Sequence, residues 1–285
     1  MIVACSTPCR ESGAMSVGPR PVGGFPAPSV EIIEYDPNPA VITNPALREA
    51  LRNARSPWWI RERTTGIDLL LVPPRVETHD DLRLSAADGR SRDPCGSSWN
   101  GGAFYLSRSP VSNAQFRLFR GDHDSDECSG HFLNTDSKPV VRLSWFECAQ
   151  FCDKYGFRLP LEAEWEWAYA IGMGGDAGSR AQRSRSEFDL VWSTHGPEGG
   201  GANAIGIRDM LGNVFEWCAD RFEDSGSNDG GGLAATSTGS AHGSARVVRG
   251  IGWTSYIRAR GGFSRRGVPP ETRNWALGFR VCWNP

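Results

Sequence analysis

The chain has 285 residues, a formal net charge of −2, 39% apolar and 22% charged residues. That is an ordinary balance for a soluble globular protein with enough chain to bury a large core. No run of about 18 apolar residues occurs, which excludes a membrane-spanning helix, and eight cysteines without CxxC pairs fit neither a disulfide scaffold nor a zinc ribbon. The 34 glycines, 19 prolines and 11 tryptophans point to many turns, few long helices and aromatic anchors under irregular loops. The opening MIVACSTPCRESGAM lacks the basic region and apolar length of a secretory signal. A monomer in the cytoplasm, with free thiols, is therefore expected.

Residues 1–30 are rich in Gly, Pro and Ser and are read as disordered. Residues 31–65 form a lead-in of helix and strand packed on a main domain, 66–285. Within the lead-in, NPALREALRNA places Leu47 and Leu51 at helical spacing behind an Asn44 cap. SPWWIRERTTGIDLLLVPP reads as two strands turned at Thr65-Gly66, the second buried over Leu69–Val72. Arg75 to Gly101 is charged, rich in Gly and Ser, and expected to be a loop. FYLS then gives a strand, SNAQFRLF a helix capped by Ser112, and PVVRLSW at 139–145 another strand. Ser144 caps the helix WFECAQFCDKYG, ended by Gly156 and expected to bury Phe146, Cys148, Ala149 and Cys152 on one face. In FRLPLEAEWEWAYA, Glu162, Glu164 and Glu166 are read as capping and salt-bridging groups near a helix start, in preference to a catalytic cluster.

The stretch Ile205 to Trp217, IGIRDMLGNVFEW, combines a turn, closely spaced oxygen donors and large apolar side chains. Asp209 and Glu216 stand seven residues apart, with the carbonyls of Met210, Gly212 and Val214 at every second position between them. A kinked loop of that pattern is able to aim several oxygens at one hard cation such as Ca2+, which takes six to eight at about 2.3–2.6 Å. The competing reading is a tight Gly212-Asn213 turn with both carboxylates solvated. Val214, Phe215 and Trp217 belong in the core on either reading.

Four segments in order, FRLPLEAEWEWA, GIRDMLGNVFEWCADRF, RVVRGIGW and LGFRV, resemble the formylglycine-generating enzyme (sulfatase-modifying factor) family over roughly residues 66–285. The resemblance implies an α+β, irregular C-type-lectin-like fold with few short helices and small antiparallel sheets. It also favours calcium, because Asp209 and Glu216 match side-chain ligands of a family calcium site and Met210, Gly212 and Val214 match its carbonyl ligands. A second family calcium site is expected to be missing from the short glycine-rich stretch between Trp192 and Asn203. The departure lies further on. Where family enzymes carry two copper-binding cysteines, ungapped matching puts Ser255 and Arg260. Soft Cu(I) selects sulfur, and arginine is a permanent cation. Copper binding and formylglycine formation are therefore not expected, and the nearest remaining thiols are Cys218 and Cys282.

From Arg246 to Pro285 eight arginines face one glutamate, a local balance of +7. Arg246, Arg249 and Arg280 match family positions that tie loops to buried carboxylates. Trp253, Thr254, Ser255, Tyr256, Arg258, Arg260, Gly262, Arg265, Arg273 and Trp275 make up the candidate ligand face, a mixture of aromatic and guanidinium groups typical of binding hot spots. The partner implied is a peptide, a protein or a small anionic ligand; a nucleic acid is disfavoured because its charged footprint need not be confined to one ligand face. Two functional readings follow. One is a catalytically silent, Ca-stabilised binding module, similar to the variable proteins of diversity-generating retroelements, whose variation would fall on Thr254, Ser255, Tyr256, Arg258 and Gly262. The other is an oxidoreductase of the wider formylglycine-generating and nonheme-iron family, such as the pyoverdine-maturation homologues, so whether the chain is an enzyme stays open.

Overall fold

The computed structural model describes residues 28–74, 101–171, 194–197, 199–222, 245–254 and 265–285. Four short helices and eleven short strands run in the order β1 (Val30–Glu34), α1 (Pro45–Asn53), β2 (Trp59–Glu62), β3 (Asp68–Val72), β4 (Phe104–Ser107), α2 (Asn113–Arg117), β5 (Glu127–Cys128), β6 (His131–Phe132), α3 (Trp145–Tyr155), α4 (Glu162–Ile171), β7 (Phe215–Arg221), β8 (Arg246–Arg249), β9 (Arg266–Val268), β10 (Leu277–Gly278) and β11 (Cys282–Trp283). They build a five-stranded sheet in the order β1-β2-β3-β4-β11, a four-stranded sheet β10-β7-β8-β9, and the hairpin β5-β6. All pairings are antiparallel except β10 against β7. The expected α+β class with small sheets holds, with that one parallel pair as a departure.

The local signals act as their chemistry requires. Asn44 Oδ1 accepts from the amides of Ala46 and Leu47 at 2.9 and 3.2 Å, which opens α1 and turns Leu47 and Leu51 into the core. At the β2–β3 turn, the buried Glu62 carboxylate accepts from Thr64 N, Thr65 N and Thr65 Oγ1, while Gly66 takes φ +66°. Ser112 and Gln115 cap α2 reciprocally, and Ser144 and Glu147 do the same for α3. Gly156 ends α3 in the left-handed conformation.

Two expectations are corrected. Residues 139–145 form no strand: they make one isolated bridge, Ser112 to Pro139, and Arg142 takes φ +62°, which breaks an extended ladder. The segment is instead pinned by Val140 N to Val111 O at 2.9 Å and Arg142 N to Asn274 O at 3.1 Å. In α3 the buried face is Glu147, Cys148, Phe151 and Cys152, whereas Phe146 is 50% exposed, because Cys148 and Phe151 rather than Phe146 follow the inward stripe.

The lead-in is continuous with the rest. β2 and β3 form one hairpin across residue 65, and Leu47, Leu51, Trp58 and Ile60 share a single apolar cluster with Phe215, Trp217, Phe279 and Cys282. The first 27 residues and 75–100 lie outside the described residues.

Candidate functional site

The loop before β7 is held by left-handed backbone at Asp209 (φ +58°), Gly212 (φ +93°) and Asn213 (φ +64°). Val214, Phe215 and Trp217 enter the core as expected, and the Met210 side chain is buried with them. Both acids are buried too, so the solvated-turn reading of this loop does not hold. Glu216 is pinned from two sides. Arg280 donates through Nε to Oε2 at 2.6 Å and through Nη2 to Oε1 at 2.7 Å, and Trp165 Nε1 donates to Oε2 at 2.6 Å. Arg280 also donates to the carbonyls of Ser107 and Arg208, so a single buried guanidinium joins β4, the loop and β7.

Asp209 is different. It is 3% exposed, yet among the described residues its carboxylate receives only Asn213 Nδ2 at 3.3 Å, with His195 Nε2 3.9 Å away. Burial pushes its pKa up to about 6, against the pull of His195 and Asn213. A Cβ on Gly200 would stand 1.4 Å from Asp209 Oδ1, so only glycine lets the chain pass there. The carbonyl oxygens of Met210 and Val214 lie near Gly250, at 3.6 and 3.5 Å from the position a Cβ would take on it. A buried, weakly partnered carboxylate and, elsewhere on the same loop, two carbonyls near Gly250 are oxygen donors of the type a hard cation takes. Glu216 would add to them only through lone pairs that Arg280 and Trp165 leave free.

The ligand-face residues divide. Trp275 is 41% exposed, with the Arg142 guanidinium 5.8 Å from its ring centre. Trp253 donates from Nε1 to Trp275 O at 2.9 Å and meets the His131 ring edge-on at 5.6 Å. Its backbone N donates to Asn213 O at 2.9 Å, which ties this face directly to the loop carrying Asp209. Thr254 is exposed beside it. Arg273 reaches the Glu147 carboxylate and donates to Arg142 O at 3.3 Å. Arg265 is not brought to the tryptophans by any of these contacts: it pairs with Glu162 at 2.8 Å and lies over the Phe222 ring. Ser255, Tyr256, Arg258, Arg260 and Gly262 lie outside the described residues.

The acids of α4 are structural, as read. Glu162 takes Arg265 and Arg249, Glu164 takes Arg158, and Glu166 takes Arg249. Arg246 donates to Ala219 O at 2.7 Å and lies over the Trp145 ring. The thiols of Cys148, Cys152, Cys218 and Cys282 are buried and pushed well above the ordinary thiol value, burial being the main cause.

The sequence reading did not single out Arg120, Arg142, Glu147 or His131, which complete the surface around Arg273 and Trp275. Local pattern marks only Glu147, as the partner of the Ser144 cap, and not its place on this surface, because Arg142 meets Asn274, and Glu147 meets Arg273, across about half the chain.

With this geometry in place, comparison with known proteins decides the family. The description "Sulfatase-modifying factor enzyme 1-like domain" matches residues 87–285. The chain belongs to this family. An inactive C-alpha-formylglycine-generating enzyme 2 from Mus musculus is 30% identical over 167 residues, covering 50% of this chain and 48% of that protein. The chain spans half or less of the length of the curated relatives it matches here. Among solved structures, PvdO from Pseudomonas aeruginosa aligns over 80% of this chain and 98% of its own, with TM-score 0.53 and 21% identity. Treponema denticola variable protein 1 aligns over 65% and 85%, with TM-score 0.47 and 22% identity. For the sulfatase-modifying factor family, then, the α+β lectin-like architecture expected from the motifs is the architecture found. No helix among the described residues is long and apolar enough to cross a membrane.

Proposed function

We propose that this member of the sulfatase-modifying factor family is a ligand-binding module, stabilised by Ca2+ and silent for formylglycine formation. Its partner would be a peptide, a protein or a small anionic molecule. The observation that carries the reading is the half-open Trp275, flanked by Trp253 and Arg142 and bordered by Arg273: aromatic rings and guanidinium groups at the surface are what binding hot spots are made of. Ser255 and Arg260 at the positions matched to copper-binding cysteines, and the inactive relative at 30% identity, support the loss of chemistry. The Asp209 carboxylate with the Met210 and Val214 carbonyls supports calcium, which would supply charge compensation to a loop that also holds Trp253 through Asn213.

The test is a selection. A displayed peptide library panned on the calcium-loaded chain should yield binders that the Trp275→Ala variant no longer retains, while that variant melts within a degree or two of the parent. Conversion of cysteine to formylglycine in a sulfatase-type peptide, seen by mass spectrometry in the presence of copper and oxygen, would overturn the silent reading. Stoichiometric iron or copper with oxygen uptake would favour the oxidoreductase reading instead.

A further inference from the structure

Beside Trp275 lies a polar cleft of about 280 Å³ whose wall includes Arg120, Arg142, Arg273 and Glu147. Three arginines line it with three acids, Glu147, Asp122 and Asp124, but the acids are not equally placed to meet them. Glu147 is nearly buried and fully engaged: it accepts from Ser144 N at 2.9 Å and Ser144 Oγ at 2.7 Å, and both Arg120 and Arg273 pair with it. Burial alone would raise its pKa, but the Ser144 hydrogen bonds and Arg273 hold it below the ordinary carboxylate value. One carboxylate therefore answers two guanidinium groups, and each arginine, with five N–H donors, has more to offer than Glu147 accepts. The third, Arg142, pairs with Asp126 at 2.6 Å, but both partners are well exposed, and such a pair exchanges at little cost. Arg142 also lies over Trp275, which makes it the bridge between the cleft and the aromatic face.

The cleft holds acids too. Asp122 and Asp124 line it and are exposed; Asp124 Oδ1 is held by the Asp126 amide at 2.7 Å. His123 is pushed below its ordinary pKa by burial, and its Nε2 lies 3.1 Å from Val141 O. The innermost acid, Glu147, is thus already covered by guanidinium groups, and the exposed aspartates stand at the rim. Arg142 itself stands at φ +62°, an uncommon conformation for a residue with a side chain, fixed here by its amide on Asn274 O.

We infer that this cleft is a carboxylate site, in which Arg273, Arg142 and Arg120 hold the acid group of a ligand whose neighbouring apolar or aromatic part lies on Trp275. The inference rests on the reading of this face as a ligand surface and names the ligand class that it takes. Guanidinium groups match carboxylate geometry bidentately, and a ring on Trp275 fixes the direction from which the acid enters. Two sources share this chemistry, the α-carboxylate of a chain end and the side-chain carboxylate of an acidic residue.

The experiment is a titration of the full chain, in calcium, followed by the NMR signals of the arginine Nε–H groups and the Trp275 indole. N-acetyl-phenylalanine offers an α-carboxylate, the amidated dipeptide N-acetyl-Phe-Glu-amide offers a side-chain one, N-acetyl-phenylalaninamide offers neither, and phenethylamine offers a cation. At least one acid should move the Arg273, Arg142 and Trp275 signals saturably, binding tenfold or more tighter than the neutral amide. Whichever acid binds tighter identifies the source. Arg273→Gln should remove that tenfold preference; Arg142→Gln, whose side chain is half-exposed, should reduce it and serves if the first variant unfolds. Equal binding of acid and amide, tightest binding of phenethylamine, or no movement of the guanidinium signals would overturn the carboxylate site. Peptides still selected on the Trp275 face in that event would leave the ligand-surface reading standing, whereas their absence would remove both.

Discussion

Replacing Glu216 by glutamine tests whether the loop before β7 is organised by a buried ion pair. Glu216 and Arg280 are both essentially inaccessible, and the acid receives three short donors, two from Arg280 and one from Trp165. Glutamine keeps the shape but removes the charge, and it turns an NH2 toward a donor, so either an Arg280 N–H or Trp165 loses its acceptor while Arg280 goes on serving Ser107 O and Arg208 O. An uncompensated buried charge of this kind costs about 3–5 kcal/mol. For a chain this long each kcal/mol moves the melting temperature by about 2 °C, so a fall of roughly 6–10 °C is expected in a calorimetric scan. A double-mutant cycle with Arg280→Gln should give a coupling of about 2 kcal/mol or more, because the second change removes the stranded cation. A fall of under 2 °C for Glu216→Gln, or strict additivity in the cycle, would refute the argument that this pair fixes the loop.

Other outcomes follow from the same geometry. Chelation of calcium should lower the melting temperature by about 5 °C, from about 2.7 kcal/mol at a hundredfold excess over Kd; unchanged melting in EDTA would remove Asp209 and its neighbouring carbonyls as a cation site. Because burial raises the Asp209 pKa to about 6, its ionisation opposes folding as pH climbs from the ordinary carboxylate value through 6, so in EDTA Asp209→Asn should gain stability over the parent at pH 8 and gain little at pH 4. Added calcium should reverse the order at pH 8, as followed by thermal melts. Ser144→Ala removes the α3 cap and one of the donors to Glu147, the hydroxyl, and should cost about 1–2 kcal/mol by denaturant titration. The backbone amide of residue 144 survives that change, so a loss above about 4 kcal/mol would mean that the cap is not the whole of its role.

Much of this molecule was legible in order along the chain, and the legible parts are those whose cause is local. Asn44, Ser112 and Ser144 cap helices because a side-chain oxygen meets an amide two or three residues on. Gly66 and Gly156 end segments because their backbone needs φ above zero. The acids of α4 and the arginines of β8 and β10–β11 announced ion pairs by type and by family pattern, and Arg249 and Arg280 make them.

What the tertiary structure alone decided is where charge and rings meet. Whether Arg273 or Arg265 faces the tryptophans is invisible in a run of alternating arginines and aromatics; Glu162 draws one away and Glu147 holds the other beside Trp275. Residues 139–145 carry the composition of a strand, but a ladder needs a partner edge, and the fold gives them the isolated Ser112–Pro139 bridge and scattered bonds to Val111, Ser125, Asn274 and Pro270. Asp209 and Glu216, alike in sequence, are told apart by Arg280 arriving from 64 residues beyond Glu216 to satisfy one acid and leave the other weakly partnered. Local chemistry sets caps and turns, because its partners lie within one turn of the chain. Pairing between distant segments is set by which surfaces the common core brings together, and no periodicity along the chain records that.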